Sequence, residues 1–170
     1  MSLGNVSFKS QAVNGYPGDV EQLVQAGAVG SIVAGIPVTK ALGQPYVIPA
    51  ADGTPVVGTD YMAGISATLS TDTVAADGLV RVMQLMPGSI YLIKPKTPAT
   101  YFGASYLTAP SQATYNALVG DRVLFDLTSS VYTIDAGDSA TSGLVVEPID
   151  VNAYPGLVAF SIRAAASYQA

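Results

Sequence analysis

Short runs of β-branched and other apolar residues, separated by Gly, Pro, Asp and Asn, recur along most of the 170-residue chain. Runs of this length between turn-forming residues are typical of β-strands. The predicted strands are Ser31–Val38, Tyr46–Pro49, Thr54–Val57, Gly64–Leu69, Leu79–Leu85, Ser89–Ile93, Arg122–Leu127, Val131–Ile134, Leu144–Glu147 and Leu157–Arg163. Sandwiches and barrels share this rhythm of strands and turns. The sequence therefore predicts an all-β fold, either a β-barrel or a jelly-roll-like sandwich.

Two pairs of predicted strands are joined by segments with the composition of hairpin turns. Between Leu79–Leu85 and Ser89–Ile93 lies Met86-Pro87-Gly88. Pro presets φ and Gly accepts the positive φ that a type II turn requires. The second pair, Arg122–Leu127 and Val131–Asp135, is joined by Thr128-Ser129-Ser130. Both pairs are predicted to form β-hairpins.

Helix is expected in at most one or two short segments. Ser111 is a suitable N-cap for about two helical turns that end before Gly120. Asp19–Gly27 fits either a short capped helix or an extended run, and the extended form is favoured because an arm-like start precedes it.

The predicted domain organisation has two parts. Residues 1–25 form an extended N-terminal arm, and residues 26–170 form a single β domain in which residues 98–118 are an insertion. The arm is either a frayed terminus or a segment that orders against a neighbouring subunit.

Charged residues make up only 11% of the chain, whereas hydrophobic residues make up 49%. The usual charged fraction is about 25%. Gly and Pro interrupt the longest weakly polar stretch, Ala26–Val38, so it falls short of a membrane-spanning helix. The first ten residues also lack the basic start and apolar run of a secretory signal. Because charge is depleted at buried interfaces, the composition favours a protein that hides surface in an assembly.

The charge balance and the missing residue types exclude several kinds of chemistry. A net charge of −5 without a basic cluster argues against nucleic-acid binding. The chain has neither Cys nor His, and so lacks the usual zinc ligands and the commonest general base. The sequence therefore predicts a protein that is not an enzyme and that uses no cofactor or metal.

Four weaker candidates for chemistry have simpler interpretations or lack a complete motif. Asp135 and Asp138 could offer oxygens to Ca²⁺, but a calcium loop needs more ligands. Asp72 and Asp77 could form a glycosidase-type pair, although Asp77-Gly78 is typical of a turn. The glycine-rich pieces Gly15–Gly18 and Gly27–Gly30 lack the Gly-Lys-Ser/Thr ending of a phosphate loop, and no motif pairs a serine with Lys9, Lys40, Lys94 or Lys96.

Tyrosine is the one aromatic residue in excess, with ten tyrosines against four phenylalanines. Tyr91, Tyr101, Tyr106 and Tyr115 lie close together near the middle of the chain. Tyrosine is enriched at protein interfaces, and its ring also stacks on sugars. Its apolar body and polar tip equally suit the edge of any sheet, so interface and sheet edge both remain open interpretations.

The segments of the chain follow a recognisable order. An extended start containing Asn14–Asp19 is followed by the Gly/Ala/Val-rich segment Ala26–Val38. A β-rich body then closes with Val119–Phe125, Gly143–Ile149 and Tyr154–Ile162. This order resembles that of the head-decoration, or cement, proteins of tailed bacteriophages. The resemblance covers most of the chain but does not account for residues 98–118.

The resemblance implies a β-barrel or jelly-roll-like body that binds the outer surface of the mature capsid, in the virion. The implied partners are the major capsid protein and further copies of the chain, as a dimer or trimer. The predicted interface residues are Val6, Phe8, Tyr16, Pro17, Val20, Leu23, Tyr101 and Tyr106. The alternatives are a carbohydrate-binding β-sandwich used in adhesion and an enzyme that works with carboxylates alone.

Overall fold

The computed structural model describes residues 7–11, 19–27, 30–41, 43–136 and 140–167, with the side chains of residues 7–11 and 41 left out. The strands in this part of the chain are β1 (Ser7–Gln11), β2 (Asp19–Val24), β3 (Pro37–Ala41), β4 (Ile48–Pro49), β5 (Asp60–Ser66), β6 (Gly78–Met83), β7 (Ser89–Ile93), β8 (Arg122–Thr128), β9 (Val131–Asp135), β10 (Leu144–Glu147) and β11 (Val158–Ile162). Two short helices, α1 (Pro98–Phe102) and α2 (Gln112–Asn116), lie between β7 and β8, and one 3-10 turn follows β11 at Ala164–Ala166. The predicted all-β class is confirmed.

The strands form two antiparallel sheets that share one hydrophobic core, as in a sandwich. Sheet one has the order β1-β7-β11-β10-β8-β9, and sheet two has the order β2-β6-β5-β3-β4. Core side chains come from strands of both sheets and from α1 and α2. The extended form predicted for Asp19–Gly27 is confirmed by β2, and β1 and β2 pair with strands of the chain's own sheets.

The outer strands of sheet two meet, so that this sheet curls into a barrel-like ring. Tyr46 forms a parallel bridge with Leu23 of β2, and the Val47 N–H donates to the Leu23 carbonyl at 2.9 Å. Because Tyr46 and Val47 directly precede β4, the bridge joins the two ends of the strand order. We call this join the seam of sheet two.

Sheet one is covered in a similar way at its β9 edge. Pro95 forms a parallel bridge with Ile134 of β9. The Lys96 N–H donates to the Ile134 carbonyl, and the Ile134 N–H donates to the Lys94 carbonyl, at 2.9 and 3.1 Å. The segment that continues β7 therefore runs beside β9, which brings Lys96 close to the β8–β9 hairpin.

Of the two predicted hairpins, only the second is confirmed. β8 and β9 pair up to Thr128 and Val131, which leaves Ser129 and Ser130 as a two-residue turn with φ values of 52° and 63°. Positive φ at both positions is the type I′ geometry that matches the twist of a hairpin.

The hairpin predicted over Leu79–Ile93 is wrong, although its turn forms. The Ser89 N–H donates to the Met86 carbonyl at 3.1 Å and Gly88 has a φ of 83°. However, β6 pairs with β2 and β5 in sheet two, whereas β7 pairs with β1 and β11 in sheet one. The turn chemistry fixes a local reversal, and the pairing partners are set by the rest of the sandwich.

Other predicted strands also differ in their bounds from those observed. Of the predicted strand Ser31–Val38 only the end belongs to β3, because the hydroxyl of Ser66 accepts from the Ile36 N–H and donates to the Val33 carbonyl, which holds a bent backbone there. Thr54 and Val56 make isolated bridges to Phe125 and Ser142 in place of a regular strand.

The predicted helix after Ser111 is confirmed as α2. The Ser111 hydroxyl accepts from the Thr114 N–H at 3.2 Å, which is an N-cap hydrogen bond. Gln112 joins this helix to the loop between β10 and β11, because its side chain donates to the Ile149 carbonyl and accepts from the Val151 N–H. Residues 98–118, predicted as an insertion, form the two helices and pack Tyr101, Phe102 and Tyr115 into the core.

Candidate functional sites

A row of large apolar side chains stays exposed beside the seam of sheet two. Leu23 and Leu79 face each other in the β2–β6 register and are 45% and 42% exposed. Tyr46 lies beside Leu23 through the seam bridge, and Ile48, two residues further on, is 49% exposed. We call Leu23, Tyr46, Ile48 and Leu79 the seam patch.

Charged residues flank the seam patch on the same two strands. Glu21 faces Arg81 in the register adjacent to the Leu23–Leu79 pair, and Arg81 also forms a salt bridge with Asp19 at 3.3 Å. Both partners of this bridge are solvent-exposed, so its contribution to stability is small. An apolar centre with a polar rim is the general anatomy of a protein interface.

Asp77 holds the seam together from outside the strands. One of its carboxylate oxygens accepts from the Tyr46 hydroxyl at 2.9 Å, and the other accepts from the Ala26 N–H at 2.8 Å. The hydrogen bond to Asp77 is the main cause that raises the pKa of Tyr46. Asp77 therefore has structural partners at a turn, and the position supports the turn interpretation of Asp77-Gly78.

The predicted interface residues lie in different environments. Leu23 belongs to the exposed seam patch, whereas Val20 is half-buried on the opposite face of β2. Tyr106 is half-buried against the core and Tyr101 is only 1% exposed, so Tyr101 offers no surface in the isolated chain. Val6, Tyr16 and Pro17 lie outside the described residues, and of Phe8 only the strand position in β1 is described.

The four tyrosines near the middle of the chain are mainly core residues. Tyr91 and Tyr115 are fully buried, and their hydroxyls bond to backbone groups. Burial raises the pKa of Tyr115 to about 12. The Tyr101 hydroxyl is also buried and has no hydrogen-bond partner among the described residues. Packing of the sandwich therefore accounts for most of this tyrosine bias.

A lysine and three aspartates surround a small cleft at the β8–β9 hairpin. Lys96 Nζ lies 2.7 Å from Asp126 Oδ1 and 3.1 Å from Asp135 Oδ2. Asp126 Oδ2 accepts from the hydroxyls of Thr128 and Thr133 at 2.9 and 3.2 Å. The cleft has a volume of about 170 Å³ and is lined by Asp52, Gly53, Lys96, Leu124, Phe125, Asp126 and Asp135.

Burial and hydrogen bonding act in opposite directions on the charges of this cluster. The side chain of Asp126 is 5% exposed, whereas those of Lys96 and Asp135 are 44% and 46% exposed. Burial alone would raise the pKa of Asp126, but hydrogen bonds from Lys96, Thr128 and Thr133 outweigh it and lower that pKa. Hydrogen bonds to Asp126 and Asp135 in turn raise the pKa of Lys96. Lys96 and Asp126 therefore form an ion pair at neutral pH.

This cluster was missed in the sequence because its parts are distant along the chain. The hairpin register alone places Asp126 opposite Thr133 and Asp135 opposite Leu124, so both carboxylates lie on one face. The hairpin predicted from the turn was therefore enough to place these two carboxylates on one face. Lys96 joins them only because the segment after β7 runs beside β9.

Asp72 and Asp77 form the second predicted acid pair. Their carboxylates have different partners and make no hydrogen bond to each other. Asp72 is 1% exposed, and one of its oxygens accepts from the Ser70 hydroxyl and the Ser31 N–H. Burial opposes ionisation of Asp72, but these hydrogen bonds prevail and lower its pKa. Asp72 thereby fastens residues 70–72 to the segment that leads into β3.

Replacing Asp72 with asparagine is expected to lower the free energy of unfolding by about 1–3 kcal/mol near neutral pH, because an amide oxygen accepts these hydrogen bonds without the negative charge that strengthens them. Because the folded pKa lies below the unfolded one, the carboxylate stabilises the fold above the unfolded pKa of about 4, and this stabilisation is lost as pH falls through the folded pKa. Urea unfolding at a series of pH values tests this. The difference from the parent protein should shrink in acid, whereas a constant difference would contradict it; Asp150→Asn, at an exposed carboxylate, serves as control.

The remaining candidates give no further site. Asp138 and Gly15–Gly18 lie outside the described residues. Within the described ranges, no group of three or more acidic side chains is arranged to hold a metal ion. The same part of the chain contains no helix long and apolar enough to cross a bilayer.

Comparisons of the chain with protein families, with curated proteins and with solved structures gave no match.

Proposed function

We propose that the chain is a structural cement protein that binds the outer surface of a tailed-phage head and bridges major capsid protein subunits. The observation that carries the proposal is the seam patch, where three aliphatic side chains remain more than 40% exposed next to a tyrosine. Scattered exposed apolar residues are normal, but a contiguous group rimmed by polar residues marks an interaction surface.

The composition supports the same function. A chain with 11% charged residues has few groups that would have to be desolvated when its surface is covered. Two further apolar side chains project from loops: Val74 is 73% exposed and Leu107 is 84% exposed. These positions give the protein more than one apolar contact, as a bridge between subunits requires.

The proposed mechanism is clamping. A copy that contacts two capsid subunits must lose those contacts before the junction opens, so binding stabilises the assembled state by mass action. Repetition over many equivalent junctions multiplies a modest gain at each one. The β2 strand supplies Leu23 to the seam patch, and so part of the predicted arm contributes to the contact surface.

Co-sedimentation with capsids that lack the decoration protein tests the proposal. Capsids assembled from the major capsid protein of the same phage would be compared in their mature and immature forms. We expect saturable binding to the mature form. Absence of binding to both forms would overturn the proposal, and binding to a glycan array would then favour the carbohydrate-binding alternative.

Surface variants identify the contact without removing strands from the sheets. Deleting residues 1–25 would remove β1 and β2, and would therefore disturb both sheets. Leu79→Lys instead changes one exposed side chain of the seam patch and is expected to weaken binding at least about tenfold, which corresponds to about 1.4 kcal/mol. Val119→Lys, at a position that is 37% exposed on the loop after α2, is the matched control; equal loss in both variants would argue against the seam patch as the main contact.

A further inference from the structure

The Lys96 cluster joins three adjacent segments of backbone. Lys96 lies on the segment beside β9, Asp135 lies on β9, and Asp126 lies on β8. The amine of Lys96 is in hydrogen-bond contact with both carboxylates. This contact between an amine and a carboxyl group places the two reactants of an amide bond in one site.

We propose that Lys96 and Asp126 form an intramolecular amide cross-link, with Asp135 as the proton acceptor. The inference uses only the geometry of this cluster and does not rest on the proposed capsid function. It assigns a covalent modification to a group of residues that otherwise forms only ion pairs.

The chemical step balances without any further reactant. Nζ of Lys96 forms a bond to Cγ of Asp126, and the Cγ–Oδ1 bond breaks. Of the three protons on the ammonium group, one stays on the amide nitrogen and two leave with Oδ1 as water. No electron is transferred to or from the chain, and a positive and a negative charge disappear together.

The surroundings of Asp126 favour this step. The hydroxyls of Thr128 and Thr133 donate to Oδ2, where negative charge develops when the amine attacks the carboxyl carbon. Asp135 Oδ2, at 3.1 Å from Nζ, can take a proton from the amine and return it to the leaving oxygen. Holding the reactants together supplies an effective concentration on the order of 10⁵ M or more in well-oriented cases.

The charged state of Lys96 and Asp126 limits the rate of amide formation. Attack needs a neutral amine and a neutral acid, and both groups start charged, so proton transfer inside the cluster must come first. Asp126 is nearly enclosed, and an amide leaves no buried charge there, whereas the ion pair does. We therefore expect slow formation in the folded protein and none in the unfolded chain.

Intact-mass measurement of the folded protein after prolonged incubation near neutral pH is the test. We expect the loss of one water molecule. Trypsin should then fail to cleave after Lys96, and residues 82–122 should remain joined to residues 123–163 after cleavage at Arg122. A protein of unchanged mass that trypsin cleaves after Lys96 would overturn the proposal.

Fragment-ion sequencing separates the cross-link from a different loss of water. The Asp52-Gly53 and Asp77-Gly78 pairs can lose water by cyclising on the backbone, so a loss mapped to either pair would also overturn the proposal. Lys96→Arg retains a cation beside both carboxylates but carries no primary amine, and it should keep the fold and the full mass. Asp135→Asn should slow formation by about a hundredfold; an unchanged rate would remove Asp135 from the mechanism.

Discussion

Replacing Gly64 with alanine is expected to lower the free energy of unfolding by about 4 kcal/mol, because strain and overlap add at this position. Gly64 lies in β5 with a φ of 151°, which L side chains rarely adopt. A Cβ there would overlap the Met83 carbonyl oxygen of β6 and also approach the Val82 side chain. The backbone carbonyl cannot rotate away as a side chain would, so the β5–β6 pairing would have to shift.

Urea unfolding followed by circular dichroism measures this effect, and the chain supplies a matched control. Gly27 has open space around an added methyl group and is solvent-exposed. Gly27→Ala should change the free energy of unfolding by less than about 1 kcal/mol. Equal effects at the two glycines would show that the close approach of β5 and β6 is not the cause.

Truncating Phe160 to alanine is expected to cost about 3–5 kcal/mol, the usual range for removing a buried aromatic ring. Phe160 is fully buried in β11, near the middle of sheet one. Its ring centroid lies 5.7 Å from that of Tyr91 and 5.6 Å from that of Phe125, the latter in an edge-to-face arrangement. The cavity would thus open where three strands meet.

Thermal and urea unfolding of two variants separate the cavity from the loss of aromatic contacts. Phe160→Leu keeps most of the volume and should cost roughly 1.5 kcal/mol or less. If Phe160→Leu were as destabilising as Phe160→Ala, the ring contacts rather than the volume would dominate. If Phe160→Ala cost less than about 1 kcal/mol, the buried position of the ring would be contradicted.

The parts of the fold that the sequence predicts are those that depend on near neighbours. The β8–β9 hairpin and the Ser111 cap are examples, because a turn or a cap is decided by residues within a few positions of one another. The all-β class follows in the same way from many such local signals. Leu23 is a predicted interface residue because it lies in the predicted arm, and the structure adds that its side chain is exposed.

The features of the fold that the sequence did not predict depend on which distant segments of the chain lie beside each other. The β6–β7 turn is correct, but its strands belong to different sheets, because β6 pairs with β2 and β5 whereas β7 pairs with β1 and β11. Tyrosine is a common residue type at interfaces, yet α1 places the Tyr101 side chain in the core. Lys96, Asp126 and Asp135 meet through pairings that no local pattern encodes.

The position of each strand along the chain determines when its pairing partner is synthesised. In the part of the chain that the structure describes, every strand pair of sheet two, and the seam as well, lies between residues 19 and 83. The strand pairs of sheet one lie between residues 89 and 162, apart from β1, which pairs with β7. Chains fold from the N-terminal side as they are made, so sheet two has all its partners before any of β7 exists. β1 thus waits for its partner β7 until all of sheet two has been made.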